Sequence, residues 1–297
     1  MLHSNALPFY FERIAFMTTN ALSEYFNQQY DATATIPDHA KIFGRWVRDS
    51  GQVRSAGGGV MDIAYGESEG ETLDLFPAAE SGAPLMVFIH GGWWRSLDKK
   101  HFHFMAAAYR DAGINFALTN YTLAPAATLE EITRQQARAL AWLYRNAEQY
   151  GYDRNRIVVA GHSAGAELAA AIMTNWGMDA DLPRDLVKGA VLLSGVYDLE
   201  TIRLADSINV DVKLQPEDVE KLSPVYMDRP AGRFITAVGA LEASEFRRQA
   251  ATLIERWKQS HVSNLLLAER NHLTICDAFC TPGDPLFEAA LQMVNEL

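Results

Sequence analysis

The chain has 297 residues, 48% of them hydrophobic and 21% charged, a globular composition that excludes a disordered, collagenous or coiled-coil protein. Lys and Arg number 26 against 37 Asp and Glu, a formal net charge of −11. The acids are scattered and there is no basic stripe, so no nucleic-acid partner is expected. The longest apolar runs, such as 84–89 and 189–195, fall far short of the ~18–20 residues that span a bilayer, and no membrane partner is expected either.

Taken in chain order, residues 6–17 have no positive segment ahead of them and are interrupted by Glu12 and Arg13, so they do not read as a secretory signal. Helical periodicity follows over 20–30 and 38–50, with Asn20 and Asp38 as expected N-caps. The Gly-rich stretch 55–59 reads as a tight entry into a sheet. From residue 60, short apolar runs predict strands over 60–66, 71–76, 85–90, 114–120, 156–161, 189–195, 233–239 and 263–269. Helices are expected over 99–112, 128–150, 163–176, 242–260 and 284–296. The central runs are continuously apolar, as parallel strands covered on both faces are. Such alternation predicts one α/β domain over 1–297: a mostly parallel, doubly wound, eight-stranded sheet flanked by helices, with a hairpin-like start. Residues 1–57 form a helical N-terminal extension in this reading, and 197–232, long for a connection, a lid insertion. The only cysteines, Cys276 and Cys280, are four apart near the start of the expected last helix. They read as reduced thiols, which fits a cytoplasmic location.

The chemistry concentrates at GHSAG, residues 161–165, where a strand runs into a helix. That strand–turn–helix context is what a G-x-S-x-G nucleophile elbow requires, and it makes Ser163 the expected nucleophile. A serine attacking a carbonyl needs backbone donors for the developing oxyanion. The Gly-Gly turn in HGGWW, residues 90–94, supplies them: Gly92 and Trp93, together with Ala164. His90 is read as a brace for that loop rather than as a base. The order rule Ser, acid, His leaves His272, just past a strand, as the general base, because His261 precedes that strand. Glu242, three residues after Gly239, is the expected acid; Asp198 competes but reads better as a turn residue. Trp93, Trp94, Tyr121 and Tyr197 fall at carboxyl ends of strands and are expected to line an aromatic pocket. Glu167 lies one helical turn beyond Ser163, either bracing a loop or setting substrate preference. His101 and His103 form an H-x-H pair with only Asp98 nearby, so neither metal nor cofactor is expected. The expected partners are a small-molecule substrate and, at most, a second copy in a homodimer.

These residues resemble the α/β-hydrolase kynurenine formamidases (arylformamidases) and their bacterial relatives. The resemblance rests on HGGWW against that family's HGGxW and on GHSAGAELAA (161–170). It continues through YTLAP (121–125), SGVYDLE (194–200), SP (223–224) and AVGALEASEFRRQ (237–249). Hormone-sensitive-lipase-type esterases usually carry HGGG and GDSAGG instead. Three positions depart from the family: Glu242 where Asp is commoner, Glu167 where His is frequent, and NHLT (271–274) around the base. The resemblance implies a metal-free serine hydrolase that cleaves N-formyl-L-kynurenine to kynurenine and formate through a formyl-enzyme. A broad carboxylesterase acting on small-acyl esters is the alternative. With a tryptophan where those esterases have glycine, the Trp93 ring is expected to fill the acyl side and admit only small acyl groups.

Overall fold

The computed structural model of the protein describes residues 17–297; the sequence reading of 6–16 lies outside them. Two helices open the described chain, α1 (Thr19–Tyr30) and α2 (His39–Ala56). The N-cap of α1 is Thr18 and not Asn20. Thr18 has the extended backbone a cap needs and its hydroxyl accepts from the Ala21 amide at 3.3 Å, whereas Asn20 is already in the first turn. Asp38 does stand at the N-cap of α2, but its side chain makes no capping bond. α2 runs past the expected end at residue 50 and stops where Gly57 takes φ +77°.

Eight strands then form one sheet: β1 (Val60–Ala64), β2 (Thr72–Phe76), β3 (Ala83–Ile89), β4 (Asn115–Thr119), β5 (Tyr152–His162), β6 (Val187–Leu193), β7 (Arg233–Gly239) and β8 (His261–Leu267). Their spatial order is β1-β2-β4-β3-β5-β6-β7-β8. β2 runs antiparallel to both β1 and β4, and every other pairing is parallel. This is the α/β-hydrolase arrangement that the motifs imply. His261 is the first residue of β8 rather than preceding it, which still leaves it at the strand's amino end.

The continuous apolar runs become strands buried on both faces. In β3, Leu85, Val87 and Ile89 face one core while Met86 and Phe88 face the other; Ile157 and Val159 oppose Val158 and Ala160 in β5 the same way. The expected helix over 99–112 is instead two 3₁₀ turns, Lys99–His101 and His103–Met105, followed by α3 (Ala106–Asp111). Side-chain anchoring explains the break. Lys99 pairs with Asp62 (2.6 Å) and Asp74 (2.9 Å), His103 Nε2 pairs with the same Asp74 (2.6 Å), and Phe102 between them is fully buried. His103 thus serves a buried ion cluster.

Two longer helices complete the layers around the elbow: α4 (Leu129–Tyr150), capped by the Thr128 hydroxyl, and α5 (Ala164–Met173). Within the expected lid segment lie three short helices, α6 (Glu200–Arg203), α7 (Asp206–Val212) and α8 (Pro216–Leu222). Arg95 ties the turn after β3 to this segment, donating to Ser207 O and Asp211 Oδ2, both at 2.7 Å. After β7 comes α9 (Ser244–Arg256), and after β8 come α10 (Ile275–Phe279) and α11 (Pro285–Asn295). Cys276 sits in α10, one helix earlier than expected, and both thiols are free.

Chain direction across the sheet reverses between β3 and β5: β4 is laid down on one side of β3, and β5 with its successors on the other. Such a switch point opens a crevice at the carboxyl ends of the two strands, and α/β sheets bind ligands there. The HGGWW turn leaves β3, and Ser163 follows β5, at that place. No helix among the described residues is long and apolar enough to cross a membrane.

Candidate active site

Ser163 is the hinge between β5 and α5, with φ +56° and ψ −121°. A non-glycine residue there carries backbone strain of about 1–3 kcal/mol, and the surroundings must hold it. Two close approaches do so. A Cβ on Gly161 would run into the carbonyl of Gly165, and one on Gly165 into the carbonyls of Ile89 and His90. Gly161 is therefore fixed by the first turn of α5, and Gly165 by packing against the end of β3. The Ser163 amide donates to Leu193 O of β6 at 2.8 Å, and its side chain makes no capping bond.

The HGGWW turn abuts this elbow. Gly91 passes so close that an added Cβ would lie 3.0 Å from the Ser163 Cβ. Gly92 (φ +103°), Trp93 (φ +51°) and Trp94 (φ +55°) follow in the left-handed half of backbone space. Gly92 O accepts from the amides of Arg95 (3.1 Å) and Ser96 (3.0 Å), closing the turn. No hydrogen bond from the amides of Gly92, Trp93 or Ala164 is found among the described residues. Under the loop lies His90, fully buried, with Nδ1 2.8 Å from Gly91 O and Nε2 2.9 Å from Asn120 Oδ1. Tyr121 stacks on that ring at 4.4 Å and donates its hydroxyl to His90 O at 3.0 Å. Burial pushes His90 below the usual imidazole range. It is a brace.

His272 comes in from the loop after β8. Its Nδ1 lies 2.7 Å from Glu242 Oε2, and both side chains are buried. Glu242 is itself held: Oε1 accepts from Ser194 Oγ and from the Gly239 amide, each at 2.6 Å. Of the two carboxylates, Glu242 is the one that the order of β7 beside β8 brings to the histidine. Asp198, at the end of the neighbouring β6, accepts from the Glu200 amide and from Arg248, so it is a turn residue paired elsewhere.

Sequence reasoning assigned no role to His162. Its Nε2 donates to His272 O at 2.7 Å, and the two rings lie 4.7 Å apart. Burial, and then the neighbouring His272, push His162 well below its ordinary value. It is therefore neutral, with its one proton engaged on the loop that carries His272. Its position directly before Ser163 was the available signal. Phe246 of α9 packs 4.4 Å from the His272 ring and covers it.

The four other expected pocket residues prove closely packed. Trp94, Tyr121, Tyr197 and Glu167 are each at most 1% exposed. Trp94 Nε1 donates to Glu167 Oε2 at 3.1 Å, while Glu167 Oε1 has no partner among the described residues. Glu167 therefore braces the tryptophan turn from inside α5. Burial raises its carboxyl well above the usual range. The folded state thus holds a proton that the unfolded chain releases above pH ~4.3, and stability falls as pH rises from there towards the raised folded value. Glu167→Gln keeps the acceptor for Trp94 and has no proton to lose. It should melt with the wild type at pH 4 or below and on the order of 5 °C higher at pH 8.5, measured by calorimetry. Equal melting temperatures at both pH values would refute a protonated Glu167.

The comparisons with known proteins bear on the family and the fold. A family model described as alpha/beta hydrolase fold matches residues 86–257, more than half of the chain. The kynurenine formamidase of Danio rerio is 28% identical over 256 residues, covering 82% of this chain and 85% of that protein. The kynurenine formamidase of Salmo salar is 32% identical over 200 residues, covering 64% and 66%. Among solved structures, a candidate thioesterase of Silicibacter sp. superposes with a TM-score of 0.80 at 26% identity, covering 90% of this chain and 98% of that one. The chain belongs to the alpha/beta hydrolase fold family and is a hydrolase similar to the kynurenine formamidases.

Proposed function

We propose that the protein hydrolyses a small formamide, with N-formyl-L-kynurenine the favoured substrate. The carrying observation is the buried Glu242–His272 pair, tied through His162 to the strained Ser163 elbow. The two fish relatives, both named kynurenine formamidase, support the choice of substrate. Ser163 Oγ attacks the formyl carbon while its proton passes to His272 Nε2, and Glu242 stabilises the resulting imidazolium. The amides of Gly92, Trp93 and Ala164 receive the oxyanion. Collapse breaks the C–N bond, and His272 gives its proton to the departing aryl amine. Water, deprotonated by His272, then attacks the formyl-enzyme, releasing formate and restoring Ser163. Ser163 is only 3% exposed and His272 6%, which favours an acyl group as small as formyl.

The same machinery would open a small-acyl ester, and the likeness to a candidate thioesterase supports that second reading. Comparing kcat/KM on N-formylkynurenine and p-nitrophenyl acetate separates the two. The formamide should be preferred at least about 10-fold, within the reach of a single well-fitted pocket. A preference for the acetate would make the enzyme a carboxylesterase.

A further inference from the structure

The last residue of α1 reaches the catalytic end of the sheet. Tyr30 is 2% exposed. Its ring meets Trp93 edge-on at 5.3 Å and Phe246 edge-on at 5.7 Å, and Phe246 in turn covers His272. Its hydroxyl lies 2.7 Å from Thr201 Oγ1, accepts from Gln249 Nε2 at 2.9 Å and donates to Glu245 Oε1 at 3.2 Å. The helix behind it is fastened as well: Asn27 Oδ1 accepts from Ser207 of α7, and Gln29 Oε1 from Ser244 and Glu245 of α9. A segment outside the sheet therefore inserts one aromatic ring between the oxyanion loop and the cover of the base.

We propose that Tyr30 is a positioning residue that sets acyl-chain specificity, by wedging Trp93 against the acyl side of Ser163 so that only short acyl groups fit. Trp93 sits in a left-handed conformation on a loop of two tryptophans and two glycines, and its ring packs on Tyr30 and on Trp94. With the Tyr30 ring gone, the Trp93 ring gains the vacated space and uncovers room for added methylenes. The proposal rests on the serine-hydrolase reading and on Trp93 bordering the acyl group.

The test measures kcat/KM on p-nitrophenyl acetate, butyrate and hexanoate, with fluorophosphonate labelling of Ser163 in every variant. Tyr30→Leu should raise the butyrate-to-acetate ratio about 10-fold or more while remaining labelled, one or two methylenes being worth that much in a pocket. Tyr30→Phe, which keeps the ring and loses only the hydroxyl bonds, should retain the wild-type ratio. Combining Tyr30→Leu with Trp93→Ala should shift the ratio no further than Trp93→Ala alone, since the first acts through the second. If Tyr30→Leu is insoluble, Tyr30→Met, which also removes the ring and whose flexible thioether adapts to the gap, carries the same expectation. A labelled Tyr30→Leu or Tyr30→Met protein with an unchanged ratio would overturn the role of Tyr30 and leave the hydrolase reading standing. Failure of the wild type itself to label would overturn the nucleophile assignment, and the role of Tyr30 with it.

Discussion

Ser163→Ala is expected to lower kcat by roughly 10⁵–10⁶-fold, because nucleophile, base and acid act as one unit and losing the first disables the others. What remains is the contribution of the oxyanion donors and of substrate binding, about 10³–10⁴ over water. The same variant should fold normally. The Ser163 side chain makes no capping bond, and alanine meets the same backbone strain as serine, so stability should stay within about 0.5 kcal/mol of the wild type. Loss of activity at constant melting temperature therefore separates chemistry from collapse of the elbow. A fluorophosphonate should label the wild type stoichiometrically and the variant not at all. Equal labelling of the two would move the nucleophile elsewhere. A wild type inert to the reagent would point to a binding protein built on this fold.

The sheet was legible because its strands are buried on both faces, which writes a continuous apolar run such as 85–89 that little else in a soluble chain produces. The elbow was legible for a local reason: Gly161 and Gly165 flank Ser163 at contacts no side chain tolerates, so the demand appears within five residues. His272 was preferred to His261 from chain order and its place just past a strand, where the structure sets it against Glu242. What was not legible depends on neighbours distant in sequence. Glu242 was expected ahead of Asp198 from its place after Gly239, but the contact itself depends on β7 lying beside β8, where Gly239 pairs with Leu267 and brings Glu242 to His272. The broken helix after residue 99 is set by Asp74, a strand residue whose carboxylate holds both Lys99 and His103. Trp94, Tyr121 and Tyr197 sit at carboxyl ends of strands as expected, but residues there can face the crevice or the core, and periodicity does not distinguish the two. Tyr30 is the extreme case: nothing in the pattern of α1 marks its last residue as a neighbour of the oxyanion loop.

Glu242→Gln should lower kcat roughly 10³–10⁴-fold, less than loss of Ser163, although the side chain keeps its shape. The reason is the fixed environment of Oε1. Ser194 Oγ–H and the Gly239 N–H both donate to it, so a glutamine must keep its carbonyl oxygen there. Its amide NH₂ then faces His272 Nδ1, where the carboxylate had accepted. The histidine is driven to the tautomer with its proton on Nε2, and it can no longer take a proton from Ser163. Flipping the amide would place NH₂ against a backbone N–H, which removes that escape. Asp198→Asn is the matched control. Its carboxylate serves the Glu200 turn and Arg248, 3.2 Å away, so kcat should stay within a few-fold of the wild type, as for residues outside the reacting centre. Stopped-flow or steady-state kcat on the better of the two substrates reads both. A Glu242→Gln enzyme within about 10-fold of the wild type would show that the carboxylate does not set the tautomer, since that loss is smaller than a wrong tautomer allows. A large loss in Asp198→Asn instead would assign the acid to the end of β6.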